Sequence, residues 1–290
     1  MNVIKSMVPV CGLTAPVKVV HITDSHLSFA KAEEGARECR HARERRQGFE
    51  TVTGGQNAKD NFLSQLSYAA DADACVMTGD IIDFPSQANL ELLRQNAPSA
   101  PGRVLYTLGN HDWCYPWEKP VAETLLRHQG GFTAWYGNDV TFNSTQIGGL
   151  LFVGIDNSTY QFSRRQRLML ACEFLKGLPV VLFFHIPLFA PSLASPTVKD
   201  WGRPILAGCP QDVLAQWGRD FGEGNNLTPS ADTLAFLSLL EENAPKIAAV
   251  LAGHVHFSHE DETAGGLYQL VTRAGCYGEI REILFTPQKN

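Results

Sequence analysis

The sequence predicts an α/β protein, and three observations indicate this fold class. Five short apolar runs have the length and composition of buried strands, and polar side chains follow each of them directly. Segments with one apolar face and the length of helices lie between several of the runs. Strands that alternate with helices are typical of a sheet with parallel strands, which binds its ligands where the carboxyl ends of the strands meet.

The stretch Thr78–Asp83 is the centre of this pattern. It follows the apolar run Ala74–Met77, and Gly79 permits a tight turn where the predicted strand ends. Asp80 therefore lies at the carboxyl end of a strand. Taken alone, an aspartate at such a position is more often a helix cap or a turn residue. Its interpretation as a ligand therefore depends on whether the pattern is repeated.

The pattern is repeated four more times. Apolar runs over Val17–Ile22, Val104–Leu108, Val180–Phe184 and Ala248–Ala252 also end in carboxylate, amide or imidazole side chains. In chain order, these side chains belong to Asp24 and His26, to Asn110 and His111, to His185, and to His254 and His256. Single core histidines and capping aspartates are common, but five such strand ends in one chain predict a shared site.

The donor set of this site contains aspartate, asparagine and histidine and no cysteine. Such donors suit divalent Mn²⁺, Fe²⁺ or Zn²⁺ better than soft ions. Seven ligands are too many for one tetrahedral site, but they suit two metal ions that share one carboxylate. We therefore predict two divalent metal ions as cofactors. The candidate ligands are Asp24, His26, Asp80, Asn110, His185, His254 and His256.

The strand-end motifs D-x-H, G-D, G-N-H, H and G-H-x-H, in this order, resemble those of the calcineurin-like metallophosphoesterase family. The resemblance covers Asp24 to His256, and the combined motif is specific although each part alone is weak. It implies a four-layer α/β/β/α sandwich with two mixed β-sheets, formed by residues 1–290 as a single domain. The spacing is similar to that of cyclic-nucleotide phosphodiesterases, which favours a phosphodiester substrate.

The resemblance also implies how the ligands are divided. Asp80 bridges the two metal ions, which lie about 3.5–4 Å apart in such sites and share a hydroxide that attacks the phosphorus in line. The other ligands divide into Asp24, His26 and His256 for the first ion, and Asn110, His185 and His254 for the second.

His111 occupies the family position of the residue that contacts the phosphate and protonates the leaving oxygen. Histidine suits this role because its ordinary pKa is close to neutrality. We expect Asp112 to orient the His111 imidazole, and Asp83 to support the site without binding the metal itself; a role as a metal ligand is the alternative for Asp83. Relatives among the purple acid phosphatases carry tyrosine at the Asp83 position, and hydrolases of UDP-diacylglucosamine carry arginine at the His111 position. The absence of the tyrosine argues against the purple acid phosphatase branch, and the presence of His111 favours ordinary phosphoester hydrolysis.

Local signals predict the remaining elements. Gly148-Gly149 joins two strands as a hairpin, and Thr228-Pro229 predicts a helix with Thr228 as its N-cap and Pro229 at the first helical position. The predicted bounds are a lead-in strand at residues 3–12; helices at Ala58–Ala70, Gln87–Gln95, Val121–His128 and Ser163–Leu175; hairpin strands at Thr141–Ile147 and Leu150–Ile155; and closing strands at Gly266–Thr272 and Glu279–Phe285.

The most basic stretch, Leu27–Gln47, predicts an exposed helix, because oppositely charged residues are spaced four apart, as in Glu33 and Arg37. We interpret its arginines as a solvated helix face, and a rim that attracts phosphate is the alternative. Residues 187–226 are rich in glycine and proline and predict a long irregular segment. We interpret this segment as a lid or specificity insertion; an ornamental surface insertion is the alternative.

The loop after His111 contains three aromatic residues, Trp113, Tyr115 and Trp117. They form either a wall that stacks on the substrate or core packing under a loop, and the sequence leaves both interpretations open. His21, by contrast, lies inside an apolar strand and is predicted to be a core residue.

Charge and cysteine content indicate the partners and the compartment. The formal net charge of −6 argues against a nucleic-acid partner, since basic surfaces supply most of that affinity. Seven scattered cysteines without C-x-x-C spacing indicate free thiols in a reducing compartment. The first residues show no signal-peptide pattern, and no run approaches the roughly 20 apolar residues of a membrane span. We predict a cytoplasmic protein without a membrane partner.

These features predict a metal-dependent phosphodiesterase that acts on a small-molecule phosphoester. A phosphomonoesterase and a nuclease are the alternatives for the same site, and a nuclease would need a basic strip that only Arg37–Arg46 supplies. A catalytically silent metal-binding scaffold is the alternative from another class. Such a scaffold would lack ligands or His111, and all of them are present.

Overall fold

The computed structural model describes residues 1–97, 104–217 and 227–288. Its strands are β1 Asn2–Val10, β2 Val17–Ile22, β3 Ala74–Met77, β4 Val104–Tyr106, β5 Phe142–Ile147, β6 Leu150–Ile155, β7 Val180–Phe183, β8 Ile247–Ala252, β9 His259–Glu262, β10 Tyr268–Val271 and β11 Glu279–Pro287. Its α-helices are α1 Ala36–Val52, α2 Ala58–Ala69, α3 Gln87–Asn96, α4 Ala122–Tyr136, α5 Arg164–Phe174, α6 Pro191–Trp201, α7 Gln211–Trp217 and α8 Ala231–Glu242.

The strands form two sheets, and each sheet contains both parallel and antiparallel pairs. The first has the order β1-β11-β2-β3-β4, in which β2, β3 and β4 are parallel and β11 is antiparallel to β2. The second has the order β5-β6-β7-β8-β10-β9, in which β6, β7, β8 and β10 are parallel and the two edge strands are antiparallel to their neighbours. The predicted pair of mixed sheets is confirmed.

Three apolar clusters separate four layers. Adjacent residues of β2 show the division, because Val19 packs between the two sheets whereas Val20 packs toward α2, α3 and α4. Leu170 of α5 and Phe236 of α8 cover the outer face of the second sheet. The layers therefore follow the predicted α/β/β/α order, with each sheet buried on both faces.

Four elements differ from the predicted ones. The exposed helix predicted within Leu27–Gln47 is α1, which begins only at Ala36 and continues to Val52. Helix α4 continues through Tyr136 and ends at Gly137, whose left-handed φ of 73° suits glycine. Helix α8 has Ser230 as its N-cap, because the Ser230 hydroxyl accepts a hydrogen bond from the Thr233 amide at 3.1 Å; the prediction of Thr228 was wrong. The sequence did not predict β9, since its residues are polar on both faces and it forms by antiparallel pairing at the edge of the sheet.

Residues 187–226 are less irregular than predicted. Helices α6 and α7 occupy much of the described part of this segment, and residues 218–226 lie outside the described residues. Pro191 takes the first helical position of α6, where proline is well tolerated, and Leu193 and Ala194 bury the apolar face of the helix. The glycine and proline content of the segment hid this short amphipathic pattern.

All seven cysteines lie in the described part of the chain and carry free thiols, as the scattered spacing predicts. Among the described residues, no helix combines the length and apolar character that crossing a bilayer would need.

His21 is a core residue, as predicted. It is fully buried, with Nε2 2.8 Å from the Thr78 hydroxyl and Nδ1 2.7 Å from the Thr272 hydroxyl. Burial and the nearby guanidinium of Arg281 lower the pKa of His21 to about 3. The imidazole therefore remains neutral in the folded protein at every pH near neutrality.

This histidine is expected to make the protein less stable in mild acid. Below its unfolded pKa of about 6.5, the unfolded chain binds a proton at His21 that the folded chain rejects until about pH 3. The free energy of unfolding should therefore fall by up to about 1.4 kcal/mol per pH unit in this window. We expect urea unfolding of metal-free protein at pH 7.5 and pH 5.5 to show a smaller pH dependence for His21→Asn than for the wild type. Equal pH dependence would contradict this assignment.

Candidate metal centre

The seven predicted ligands meet at the carboxyl ends of five strands. The strands β2, β3 and β4 of the first sheet and β7 and β8 of the second sheet lead directly into the loops that carry them. Their donor atoms form overlapping groups within 4.8 Å of one another. One group consists of Asp24, His26 and His256, a second of His26, Asp80 and His111, and a third of Asp80, His185 and His254.

The first group converges on the carboxylate of Asp24. His26 Nε2 lies 3.0 Å from His256 Nε2, and Asp24 Oδ1 lies 3.3 Å from His256 Nε2 and 3.8 Å from His26 Nε2. Asp24 Oδ2 accepts hydrogen bonds from the Thr23 hydroxyl (2.6 Å) and the His254 amide (2.9 Å). Oδ1 is buried and has no well-directed hydrogen bond within the described part of the chain. A buried carboxylate oxygen between two imidazole nitrogens fits a metal ion.

The third group is arranged in the same way around Asp80. His185 Nε2 lies 3.1 Å from Asp80 Oδ2, 3.1 Å from His254 Nδ1 and 3.2 Å from Asn110 Oδ1. His185 Nδ1 lies 2.7 Å from the carbonyl oxygen of Thr78, and this nitrogen must carry the hydrogen because a carbonyl only accepts. The lone pair of Nε2 is thereby directed toward the other donors, as metal binding requires.

His26 is oriented by residues outside the predicted ligand set. Its Nδ1 lies 3.0 Å from Asp83 Oδ1, which directs its Nε2 toward His256 and Asp24. Its ring stacks on Phe49 at 4.7 Å between centroids. Asp83 thus contacts a predicted ligand, as expected, and its role as a support for the metal centre remains a prediction.

Electrostatics keep the two aspartates ionised. Burial disfavours their charged forms, but the facing imidazoles outweigh it and hold the pKa of Asp24 and of Asp80 well below the usual range. Burial lowers and Asp80 raises the pKa of His185, with a net value of about 9. Burial and the neighbouring His185 lower the pKa of His254. Two buried carboxylates amid imidazoles match the donor chemistry of Mn²⁺, Fe²⁺ or Zn²⁺.

The backbone at the site is strained. Left-handed φ values cost of order 1–3 kcal/mol at residues other than glycine, and such residues cluster at functional sites. The described non-glycine residues with positive φ are Asp24, His26, Asp80, Tyr160, His254 and His256. Five of these six are predicted ligands, so the strain is concentrated where the donors converge.

Two motif glycines are explained by close backbone approaches. A Cβ at Gly79 would lie 2.2 Å from the amide nitrogen of Gly109, so only a residue without a side chain lets the ends of β3 and β4 lie this close together. A Cβ at Gly253 would lie 2.3 Å from Asp24 Oδ2, so the absence of a side chain at Gly253 lets the strand ends of the two sheets approach each other. A side chain at either position would displace a ligand loop, so the glycines position the donors although they contribute none.

His111 lies beside the shared aspartate, and its predicted partner needs correction. Its amide donates to Asp80 Oδ1 (2.8 Å), and its Nδ1 lies 3.2 Å from Asp83 Oδ1. Asp112 does not contact the ring; its carboxylate accepts from the amides of Asp80 (2.9 Å) and Gly109 (2.7 Å). The carboxylate that orients His111 is therefore that of Asp83. Asp112 holds the two strand-end loops, because its short side chain points back to the backbone.

The carboxylates of Asp80 and Asp83 favour the protonated form of His111. Burial opposes protonation, but Asp80 and Asp83 raise the pKa of His111 to about 9. Its side chain is nevertheless 38% exposed, so the ring reaches the cavity in front of the ligands. With Nδ1 against Asp83, Nε2 is the nitrogen left to contact a substrate.

Arg45 is a site residue that the sequence interpretation missed. The solvated-face interpretation of α1 is wrong for this arginine, because its guanidinium binds Asp83 through two nitrogens, with Nη2 2.7 Å from Oδ1. Arg45 also lines the cavities beside His111. Only its position on the folded helix shows this, since Arg43 and Arg46 carry the same charge nearby in sequence.

Of the aromatic residues after His111, one belongs to the core, and a substrate-stacking wall formed by the other two stays a prediction. Trp113 is buried and donates to the Ser158 hydroxyl at 2.9 Å, so it belongs to the core. Tyr115 and Trp117 stack on each other with centroids 4.8 Å apart, and Tyr115 lines a cavity beside His111.

Two cavities meet at the candidate metal centre. The smaller one, of about 670 Å³, is lined by the loops that follow β4 and β6. The larger one, of about 1090 Å³, is lined by the loops that follow β8 and by the end of α6, including Lys199 and Trp201. Residues of both cavities are Arg45, Asn110, His111, Tyr160 and Arg203. A substrate at the centre therefore has space on two sides.

A two-sheet sandwich that gathers carboxylate and imidazole donors around one aspartate is the arrangement of a metal-dependent hydrolase. A model of the family described as calcineurin-like phosphoesterase matches residues 17–258. The chain belongs to the calcineurin-like phosphoesterase family, so it is a dimetal phosphoesterase that depends on divalent metal ions. No curated protein matches the chain in sequence.

Solved structures share the fold at low sequence identity. A dimetal phosphatase from Danio rerio has a TM-score of 0.55 and 15% identity, and the match covers 91% of this chain and 89% of that one. PhoD has a TM-score of 0.51 and 11% identity, with 94% and 59% covered. A purple acid phosphatase from yellow lupin (Lupinus luteus) seeds has a TM-score of 0.50 and 14% identity, with 91% and 45% covered. These similarities concern the fold alone.

Proposed function

We propose that the protein hydrolyses phosphodiesters of small molecules. The observation that carries this proposal is the pair of cavities that meet at Asn110 and His111. A phosphodiester has an organic group on each side of its phosphorus and needs space on both sides of the metal centre. A phosphomonoester needs space on one side only. It is the second candidate, because the solved relative from Danio rerio is named a phosphatase.

The ligand set and the neighbouring side chains have separate roles in this proposal. The seven ligands would hold two divalent ions, Mn²⁺, Fe²⁺ or Zn²⁺, which would supply an activated water and neutralise charge on the phosphoryl group. Asp83 and Arg45 hold the His111 ring so that its Nε2 delivers a proton to the leaving oxygen.

The test is a comparison of two esters that share a leaving group. Protein stripped of metal and then supplied with Mn²⁺ is assayed with bis-p-nitrophenyl phosphate and with p-nitrophenyl phosphate. We expect Mn²⁺-dependent hydrolysis with a higher kcat/KM for the diester, because only the diester fills both cavities. Asp80→Asn protein purified in parallel controls for contaminating phosphatases.

Preference for the monoester would reject the diester assignment and favour a phosphatase. Absence of hydrolysis with two metal ions bound would reject both small-ester assignments, and would turn attention to the segment 187–226 as a barrier to these substrates. We propose this segment as the specificity element, since Lys199, Trp201 and Arg203 line the larger cavity.

A further inference from the structure

Tyr160 is the one described residue with positive φ, other than glycine, that is not a predicted ligand. Its φ is 66°, in a region where tyrosine is strained by of order 1–3 kcal/mol. It follows β6, a strand that supplies no ligand to the predicted set. The sequence analysis did not select it, because no motif surrounds it and its neighbours resemble an ordinary turn.

The turn that carries Tyr160 is attached to the strand end that carries His185. The Asn157 side chain donates to the Ile186 carbonyl (2.7 Å) and accepts from the Ile186 amide (3.0 Å). The Tyr160 amide donates to the Asn157 carbonyl at 2.8 Å. These contacts, together with packing of the ring against apolar clusters, hold Tyr160 in its strained conformation. A strained residue that several contacts hold in place indicates a functional position rather than an arbitrary loop conformation.

The phenol of Tyr160 contacts one of the predicted ligands. Its oxygen lies 2.9 Å from His254 Nε2, while His254 Nδ1 faces His185. If Nδ1 binds metal, Nε2 of the neutral imidazole carries the hydrogen and donates it to the phenol oxygen. The hydrogen of the phenol is then directed elsewhere, and the contacts within the described part of the chain include no acceptor for it.

Tyr160 is placed where a bound substrate can provide the acceptor for the phenol hydrogen. Tyr160 lines both cavities, as do Asn110 and His111, so it lies where the phosphoryl group of an ester would be bound. A phenol remains protonated at neutral pH because its ordinary pKa is about 10. Phosphoryl oxygens carry negative charge, and hydrogen bonds to charged acceptors are stronger than those to neutral ones.

We propose that Tyr160 is a substrate-contacting residue, which accepts a hydrogen bond from His254 Nε2–H and donates one to a phosphoryl oxygen of the bound ester. This inference rests on the proposed phosphoester hydrolysis, but it does not depend on whether the ester is a diester or a monoester. No proton is transferred; the phenol stabilises the charge that the phosphoryl oxygens carry.

The test uses Tyr160→Phe, which keeps the ring and removes only the hydroxyl group. Tyr136→Phe is the matched control, because its hydroxyl donates to Asn143 Oδ1 (3.1 Å) in the helix layer. Calorimetry on each protein measures the dissociation constant for Mn²⁺ and, with Mn²⁺ saturating, the dissociation constant for inorganic phosphate. Thermal unfolding verifies that each variant is folded.

We expect Tyr160→Phe to weaken phosphate binding roughly tenfold to a hundredfold, with a similar fall in kcat/KM at saturating Mn²⁺. Its Mn²⁺ affinity should stay close to that of the wild type, and Tyr136→Phe should change neither constant. A loss that higher Mn²⁺ restores would overturn the proposal, since Tyr160 would then only position His254. Unchanged phosphate affinity would overturn it as well.

The binding measurement separates this proposal from the proposed function. If the wild type hydrolyses neither ester but binds phosphate through Tyr160, the substrate contact stands and the assigned reaction fails. If the Mn²⁺-loaded wild type does not bind phosphate, the contact proposed for Tyr160 is rejected. If hydrolysis occurs and Tyr160→Phe equals the wild type in both readouts, the reaction stands and the role of Tyr160 is rejected.

Discussion

Asp80→Asn is expected to abolish hydrolysis and to remove at least one of the two metal ions. The carboxylate of Asp80 belongs to two of the three donor groups, so it is the only predicted ligand that faces both His26 and His185. An asparagine keeps the shape but loses the charge and one of the two ligand oxygens. Changes in residues that only support metal ligands typically cost about 10–100-fold. We therefore expect a fall of at least about a thousandfold in kcat/KM for a ligand shared by two ions.

The metal content of the variant separates this expectation from a folding defect. Elemental analysis after gel filtration in Mn²⁺ should give two ions for the wild type and one or none for Asp80→Asn. Asp71→Asn is the matched control, because Asp71 is exposed and follows α2 on the outside of the first sheet. Retention of two ions together with wild-type activity in Asp80→Asn would rule out Asp80 as the bridging ligand.

His111→Ala is expected to slow hydrolysis strongly while both metal ions stay bound. A general acid typically contributes about 10²–10⁴-fold. Its effect depends on the leaving group, because p-nitrophenolate is stable without a proton whereas phenolate is less so. We expect kcat for methyl phenyl phosphate to fall much more than kcat for methyl p-nitrophenyl phosphate. Asp83, which lies 3.2 Å from His111 Nδ1 and is not a predicted metal ligand, favours the protonated form of the ring.

His41→Ala is the matched control, since His41 lines the same smaller cavity and meets the Trp117 ring edge to face, with centroids 5.2 Å apart. It should leave the dependence on the leaving group unchanged. Equal losses for the two esters in His111→Ala would show that His111 binds the phosphoryl group without protonating the leaving oxygen. Loss of a metal ion would instead identify His111 as a ligand, as its place in the donor group with His26 and Asp80 permits.

Several features of the centre are encoded locally and were predicted from the sequence. A short apolar run followed directly by Asp, Asn or His predicts a buried strand with donors at its carboxyl end, and its repetition five times in one chain strengthens that prediction. Gly79 was predicted to permit a tight turn, and its left-handed φ of 81° agrees with this prediction. The α/β fold class follows from these local patterns, whereas the two mixed sheets were implied by the family resemblance that the strand-end motifs carry.

Side-chain direction was not encoded locally. Asp112 adjoins His111 in sequence, yet it binds the backbone of the loops that follow β3 and β4. Asp83, which is 28 positions from His111, contacts the His111 ring instead. Arg45 was indistinguishable from the other arginines of α1 until the helix packed beside Asp83. No sequence motif indicated a role for Tyr160, because its role depends on a turn held by Asn157.

The sequence by itself therefore determined the strands that carry the donors, the donor types and the class of chemistry, because these depend on residues close together in the chain. The tertiary structure alone decided which carboxylate orients His111, which arginine faces the cavities, and which phenol contacts His254. Each of these depends on contacts between residues that are 28 or more positions apart in the chain. Such contacts arise only when both sheets and the helix layers are assembled, since no local pattern specifies the direction of a side chain across a gap between elements.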